Sequence, residues 1–368
     1  MSLHVLQLLP ALDTGGVERS TLEIASALVA AGHRSTVISA GGRLVGRLEA
    51  GGSRHIALPI GRKSLFTLRH VYTLRRLIRE LAPDIVHARS RLPAWIGKLA
   101  LDGLPMPRPH FVTTVHGLNS PGRYSAIMTR GERVIVVSRT VRDYVLAHYS
   151  VDPSRLAVIP RGIEPAEFPH GHRPDPDWTR RFFAEWPQLE GAPLVTLPGR
   201  GTRLKGHTEA IELVAGLKAR GIAVRLLLLG VREAGREAYV TELERLAAAR
   251  GVAAWVACAA PRADVRDVYV QSALVLQLST KPEAFGRTVI EALALGRPVL
   301  GHAHGGVGEL LAELYPAGGV PVGDRTGLIE RAAELLHAPP AIRPLDRYRL
   351  AEMQAATLAL YAGLAGPR

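Results

Sequence analysis

The 368-residue sequence predicts an α/β protein made of two Rossmann-like, doubly wound domains facing a cleft. Three observations carry that prediction. Continuous apolar strands alternate with helical apolar periods along most of the chain, the pattern of parallel sheets with helices on both faces. One Pro-rich, polar stretch, about 164–193, interrupts the alternation near its middle. The length exceeds one ordinary α/β core and fits two of about 150 to 200 residues each.

The first series opens with LHVLQLL as a strand, PALDTGG as a loop, VERSTLEIASALVAAG as a helix stopped by Gly32, and RSTVIS as a strand. Its apolar start, broken by Pro10 and Asp13 and without a charged leader, reads as a buried strand rather than a signal peptide, so a cytoplasmic protein is expected. Strands follow at 84–88, 111–115, 133–138 and 156–160, with helices at 66–81, 92–101 and 138–149. The second series has strands at 194–198, 224–230, 252–257, 273–279 and 298–302 and a short one near 319–322. Its helices are expected at 206–220, 237–250, 264–272, 286–296 and 326–337. The domain division is therefore 1–165, a linker at 166–192 with one short helix, 193–345, and a final helix within 346–368. No strand follows that helix, so it is expected to pack back across the domain boundary.

Charged residues at 21% and hydrophobic ones at 47% exclude disorder, and no run of about 18 uncharged apolar residues offers a membrane span. The single cysteine, Cys258, excludes an internal disulfide framework and a multi-cysteine zinc site. Net charge is +13, and it is uneven. Residues 1–168 hold 22 Lys and Arg against 12 Asp and Glu, whereas 169–368 hold 24 against 21. The segment RKSLFTLRHVYTLRRLIR at 62–79 combines Arg62, Lys63, Arg69, Arg75, Arg76, Arg79 and His70 with Leu65, Phe66, Leu68, Val71, Leu74, Leu77 and Ile78. That spacing predicts a helix with one buried and one basic face, suited to an anionic leaflet. Arg89 and Arg91, after the strand at 84–88, are expected to point toward the cleft and hold acidic groups of a ligand.

The densest chemical signal is KPEAFGRTVIEALALGRPVLGHAHGGVGE at 281–309. Glu283 lies in a loop after a strand, and Glu291 lies within the following helix, which starts near Gly286 and stops at Gly296. Two carboxylates so placed accept hydrogen bonds from hydroxyls at two ends of an elongated ligand, and amides near Phe285 and Gly286 cover the part between. In GRGTRLKGH at 199–207, the cations Arg200 and Lys205 share one loop and suit a diphosphate. This loop lacks the Gly-Lys-Ser/Thr end of a Walker loop, and no G-x-G-x-x-G follows the first strand. Instead Gly15 and Gly16 allow close backbone approach just before a helix. His116, in TTVHGLN, stands at the carboxyl end of a strand. His302 and His304 alternate at a strand end and so are expected to face opposite ways, and no Asp-x-Asp is present to hold a divalent ion.

These segments resemble the retaining glycosyltransferases of family 4, with their E-x7-E motif inside EAFG....EA.A.G.PV....GG..E, and more specifically lipopolysaccharide-core-type enzymes. The resemblance covers nearly the whole chain. It implies the GT-B fold and retaining transfer from a nucleotide sugar, with a UDP-sugar preferred over GDP-mannose or an ADP-sugar. Glu283 with the amides of Ala284, Phe285 and Gly286 would hold the donor sugar, and Glu291 the ribose. Arg200 and Lys205 would stabilise the departing diphosphate, with the Gly15–Gly16 loop facing the phosphates across the cleft. His116 would position the sugar and support the transition state. Ser138, Arg139 and Glu309 match further family landmarks, while VIPRGIE carries Arg161 where the family usually has Asn, leaving the role of Arg161 open. No metal or other cofactor is expected. The expected acceptor is an anionic glycan or glycolipid at the inner leaflet, such as a lipopolysaccharide core, with peripheral membrane contact. Two alternatives remain: a GT-B sugar-nucleotide epimerase, and a basic nucleic-acid-binding protein. An aromatic content of 5% and the absence of a nucleic-acid motif weigh against the second, so no nucleic-acid partner is expected.

Overall fold

The computed structural model describes residues 2–13 and 15–366. Thr14 of the DTGG turn, residues 367–368 and the side chain of Leu65 lie outside that description. The chain forms two compact units, residues 1–162 with 350–368, and residues 163–349.

In unit 1, strands β1 (His4–Leu8), β2 (Arg34–Ser39), β3 (Arg54–Ala57), β4 (Ile85–Ala88), β5 (His110–Val115), β6 (Arg133–Val136) and β7 (Leu156–Val158) form one sheet. Their order is β3-β2-β1-β4-β5-β6-β7, with every pairing parallel. Strands such as FVTTV and RVIV are buried on both faces, which is why they read as apolar, β-branched runs rather than alternations. β3 escapes sequence reading because RHIA is a half-exposed edge with no apolar period.

The final helix, Leu350–Leu364, belongs to unit 1. Met353, Thr357 and Tyr361 recur every four residues and are buried. Met353 and Tyr361 join Val5, Ile24, Ile85 and Val112 in one apolar cluster. The predicted helix at 66–81 is instead a 3₁₀ turn, Leu65–Arg69, followed by an α-helix, His70–Leu81. Ser64 accepts the Phe66 N–H at 3.3 Å and starts the turn. That break rotates the apolar set: Val71, Leu74 and Ile78 are buried, but Phe66 is 79% and Tyr72 73% exposed. His70 does not add to the basic charge, because burial and then Arg69 lower its pKa.

Unit 2 holds β8 (Leu194–Pro198), β9 (Arg225–Leu229), β10 (Val256–Ala259), β11 (Leu274–Gln277), β12 (Val299–His302) and β13 (Gly319–Val320), ordered β10-β9-β8-β11-β12-β13 and again all parallel. β10 starts later than the 252–257 expectation because residues Ala253–Trp255 form a 3₁₀ turn first.

The segment 166–192 is not a free linker. Its helix Pro176–Glu185 is capped by Asp175, whose carboxylate accepts the Asp177 N–H at 2.7 Å. Phe182 and Leu189 enter the core with Leu194, Leu227 and Val268. Trp178 stacks on Phe182 at 5.0 Å and donates to Asp264 at 2.7 Å, while Arg262 ties Asp264 to Glu185. The apolar residues Trp178, Phe182 and Trp186 recur every fourth residue, a helical face with a core to meet.

Candidate functional site

β8, β11 and β12 are neighbours in the unit 2 sheet, so the loops leaving their carboxyl ends converge. The β8 loop carries Arg200 and Lys205, the β11 loop carries Glu283 to Gly286, and β12 ends at His302. Two close approaches lock them together. The Thr280 N–H donates to the Leu204 carbonyl at 2.9 Å, and a Cβ on Gly206 would stand 2.1 Å from the Leu278 oxygen. Gly206 also adopts φ 77°, which favours glycine.

Lys205 Nζ donates to Glu283 Oε1 at 2.6 Å, joining the two motifs. The Ser279 hydroxyl donates to the same oxygen, and Gln277 Nε2 lies 3.4 Å from Oε2. Glu283 is therefore aimed from three sides. Behind its loop, the Gly306 N–H donates to the Glu283 carbonyl at 2.7 Å. A Cβ on Gly306 would meet Phe285 Cα at 2.5 Å, so the start of helix Gly305–Leu314 touches backbone directly. Phe285 is buried, with its ring 5.9 Å from that of Tyr348, so its side chain anchors the loop. Gly286 precedes helix Arg287–Ala294 with φ 114°. Glu291 is buried, and Arg287 Nε donates to it at 3.2 Å.

Arg200 is exposed and makes no ion pair among the described residues. Lys205 and Glu283 are thus in contact, whereas Arg200 stands apart. His207, in the same loop motif, is buried, and burial lowers its pKa to about 4. Glu309 lies inside helix Gly305–Leu314 rather than at its cap, which is His304.

His302 and His304 do not face opposite ways. Both ring systems reach the Ser279 carbonyl, at 3.2 Å and 2.8 Å, with centroids 5.9 Å apart. Strand alternation applies only up to His302, where β12 ends, and the chain then turns into a helix. His302 also contacts Glu209 at 3.2 Å. Burial alone would lower its pKa, but the Glu209 carboxylate and the Ser279 carbonyl together raise it. Among the described residues, no three His, Cys, Asp or Glu side chains gather as metal ligands do.

In unit 1, Gly15 caps and Gly16 opens the first helix, and a Cβ on Gly15 would stand 2.4 Å from the Glu18 carboxylate. Ser138 caps helix Arg139–His148 by accepting the Val141 N–H at 3.1 Å. Arg89, expected to point toward the cleft and hold acidic groups of a ligand, is instead buried on protein partners. It is 3% exposed, donates to Gln7 at 2.6 Å and to Ser20 at 3.2 Å, and its Nη2 has no hydrogen-bond partner among the described residues. Arg91 turns elsewhere, to Ser125 at 3.2 Å and over the Tyr124 ring at 5.2 Å. His116 is half-buried beyond β5, with Nδ1 hydrogen-bonded to Arg161. Burial, then Arg161, Arg89 and His87, hold its pKa well below the usual range. Gln7, Ser20, Gln277 and Ser279 were not anticipated as site residues. For Gln7 and Gln277 the signal was a polar side chain inside an otherwise apolar strand, which needs a partner when buried.

Residues 14–167 match the family model Glycosyltransferase Family 4, and residues 179–349 match Glycosyl transferases group 1. A D-inositol 3-phosphate glycosyltransferase of Rhodococcus opacus is 28% identical over 243 residues, 61% of this chain and 53% of that protein. The chain thus spans about half the length of the curated relatives it matches. A glycosyltransferase structure from Rickettsia africae superposes with TM-score 0.88 at 26% identity over 100% of both chains. HepE of Anabaena, solved with UDP and glucose, gives 0.80 at 19% identity over 98% of this chain and 100% of its own.

Proposed function

We propose that this chain, which belongs to the glycosyltransferases of GT-B fold, moves a sugar from a nucleotide donor, UDP-linked by preference, to an anionic acceptor with retention at the anomeric carbon. One observation carries the reading. The 2.6 Å contact between Lys205 and Glu283 joins a phosphate-type cation and a hydroxyl-type acceptor at the carboxyl ends of adjacent strands.

In this reading Glu283 and the 284–286 backbone hold sugar hydroxyls, Glu291 holds the ribose, and Arg200 with Lys205 meets the diphosphate. Donor binding draws Lys205 from Glu283 toward phosphate, freeing the carboxylate for a hydroxyl. The bond from the anomeric carbon to the phosphate oxygen breaks, and the acceptor oxygen bonds on the same face. The acceptor proton passes to the departing phosphate, and cationic side chains supply the charge stabilisation without a metal.

The acceptor is best described as a phosphorylated polyol or anionic lipid-linked glycan, of which a lipopolysaccharide core is one example. The name of the Rhodococcus relative, which specifies an inositol phosphate, supports the broader class. Peripheral contact with an anionic leaflet on the cytoplasmic side is supported by the helix His70–Leu81. Arg69, Tyr72, Arg76 and Arg79 form a stripe opposite the buried Val71, Leu74 and Ile78, and exposed Phe66 extends it. No helix among the described residues is long and apolar enough to cross a membrane. Phe66→Ser with Tyr72→Ser should lower co-sedimentation with phosphatidylglycerol vesicles about tenfold, and equal binding to neutral vesicles would remove the leaflet from the proposal.

The test of the donor is a thermal-shift panel of nucleotide sugars. Ligand at about 100 times its Kd stabilises the folded state by about 2.7 kcal/mol, so a UDP-sugar should raise Tm by several degrees. No response from any nucleotide sugar would sink the donor assignment. Free sugar released without an acceptor would favour the epimerase, and salt-dependent DNA binding without nucleotide-sugar binding would favour the nucleic-acid reading.

A further inference from the structure

We infer that Arg161 fixes His116 as its Nε2–H tautomer, so that His116 offers substrate a hydrogen-bond donor and does not take a proton at that nitrogen. The argument is one of donors and acceptors. Arg161 Nη2 is hydrogen-bonded to His116 Nδ1. A guanidinium carries five N–H donors and no acceptor, so Nδ1 must be the accepting nitrogen and the ring proton must sit on Nε2. Asparagine, the usual residue of the resembled family here, carries both a carbonyl acceptor and an amide donor and would leave the tautomer open. The arginine of this chain removes that freedom.

Arg161 is itself held. Its Nη1 donates to the Ser20 hydroxyl and lies 3.9 Å from Met353 Sδ. The same Ser20 oxygen accepts Arg89 Nη1 at 3.2 Å, and Arg89 Nε donates to Gln7 at 2.6 Å. The first helix and β1 thereby set the guanidinium that orients the imidazole. The titratable groups around His116 are Arg161, Arg89 and His87, and all are bases, so with burial they oppose a second proton on the ring. Nε2 is shielded from solvent and has no partner among the described residues. It is a donor still to be used.

Arg161 acts here as a positioning residue. The consequence for chemistry rests on the transfer reading above: His116 donates to a sugar or acceptor oxygen, and the acceptor proton leaves by the phosphate.

The test is ¹⁵N NMR of the full chain with labelled histidine, the His116 signals being assigned by their loss in His116→Gln. At pH 7 a protonated Nε2 and a bare Nδ1 are expected. Arg161→Lys, which keeps a cationic donor, should retain that pattern, whereas Arg161→Leu should give mixed tautomers and a His116 titration midpoint moved up toward the ordinary value. A proton on Nδ1 in the parent protein, or an unchanged tautomer in Arg161→Leu, would overturn the inference. If Arg161→Leu does not fold, the parent and Arg161→Lys spectra still decide. None of these readouts needs a nucleotide sugar, so this inference and the transfer reading fail separately. Where turnover is measurable, Arg161→Leu should lower kcat about tenfold while leaving donor KM within about twofold.

Discussion

The carboxyl ends of the two sheets handle positive charge differently. In unit 2 three basic side chains sit against carboxylates, Lys205 on Glu283, Arg287 on Glu291 and His302 beside Glu209, while Arg200 is exposed. In unit 1 the hydrogen bonds of Arg89 go to an amide and a hydroxyl, and Arg161 reaches the same hydroxyl and an imidazole. A cation already paired with a carboxylate is set to exchange that partner for a ligand phosphate. Arg89 and Arg161, next to buried imidazoles, add to burial in suppressing protonation of His87 and His116. The charge surplus of the first 168 residues thus has a buried component as well as a surface one.

The sharpest way to break this contrast is Glu283→Gln. It keeps the shape but removes the charge facing Lys205, and turnover should fall about 100-fold or more, read as kcat with a UDP-sugar. Lys205→Met should do similarly, and the double variant should lose much less than the product of the two, since contacting residues are not additive. Additive losses would show that the pair does not act as one unit.

Next in size is Gly306→Ala. Its Cβ would stand 2.5 Å from Phe285 Cα and 2.6 Å from the Ala284 oxygen, which are backbone atoms unable to step aside. A loss of about 1–3 kcal/mol in denaturant midpoint analysis is expected, together with weakened donor binding. Ser20→Ala addresses unit 1: removing the hydroxyl shared by Arg89 and Arg161 should cost about 1–2 kcal/mol of stability, since buried donors lose their partner.

The smallest effect is a pH contrast, read by histidine NMR and by stability against pH. His302, raised by Glu209, stabilises the fold below its unfolded pKa, and that contribution is lost as pH rises through its folded pKa. His87 and His116, both lowered chiefly by burial, work in the opposite sense: stability falls as pH drops below the unfolded value toward their folded pKa. Glu209→Gln should move the His302 midpoint down and leave His116 unmoved. A His116 midpoint at or above that of His302 would erase the contrast.

The sequence by itself determined the strand and helix succession, because buried parallel strands are apolar runs and their covering helices keep a 3.6-residue period. It also pointed to the loops that bring Lys205 to Glu283, because glycines and prolines punctuate those loops where backbone meets backbone. Tertiary structure decided what spacing along a chain cannot encode. It gave the helix Pro176–Glu185 a core to enter and placed the final helix on unit 1, since an apolar face does not name its partner. It turned His302 and His304 to one carbonyl, because strand alternation ends with the strand. It also brought Arg161 to His116 across 45 residues of chain, a hydrogen bond that only the packing of β5, β7 and the first helix creates.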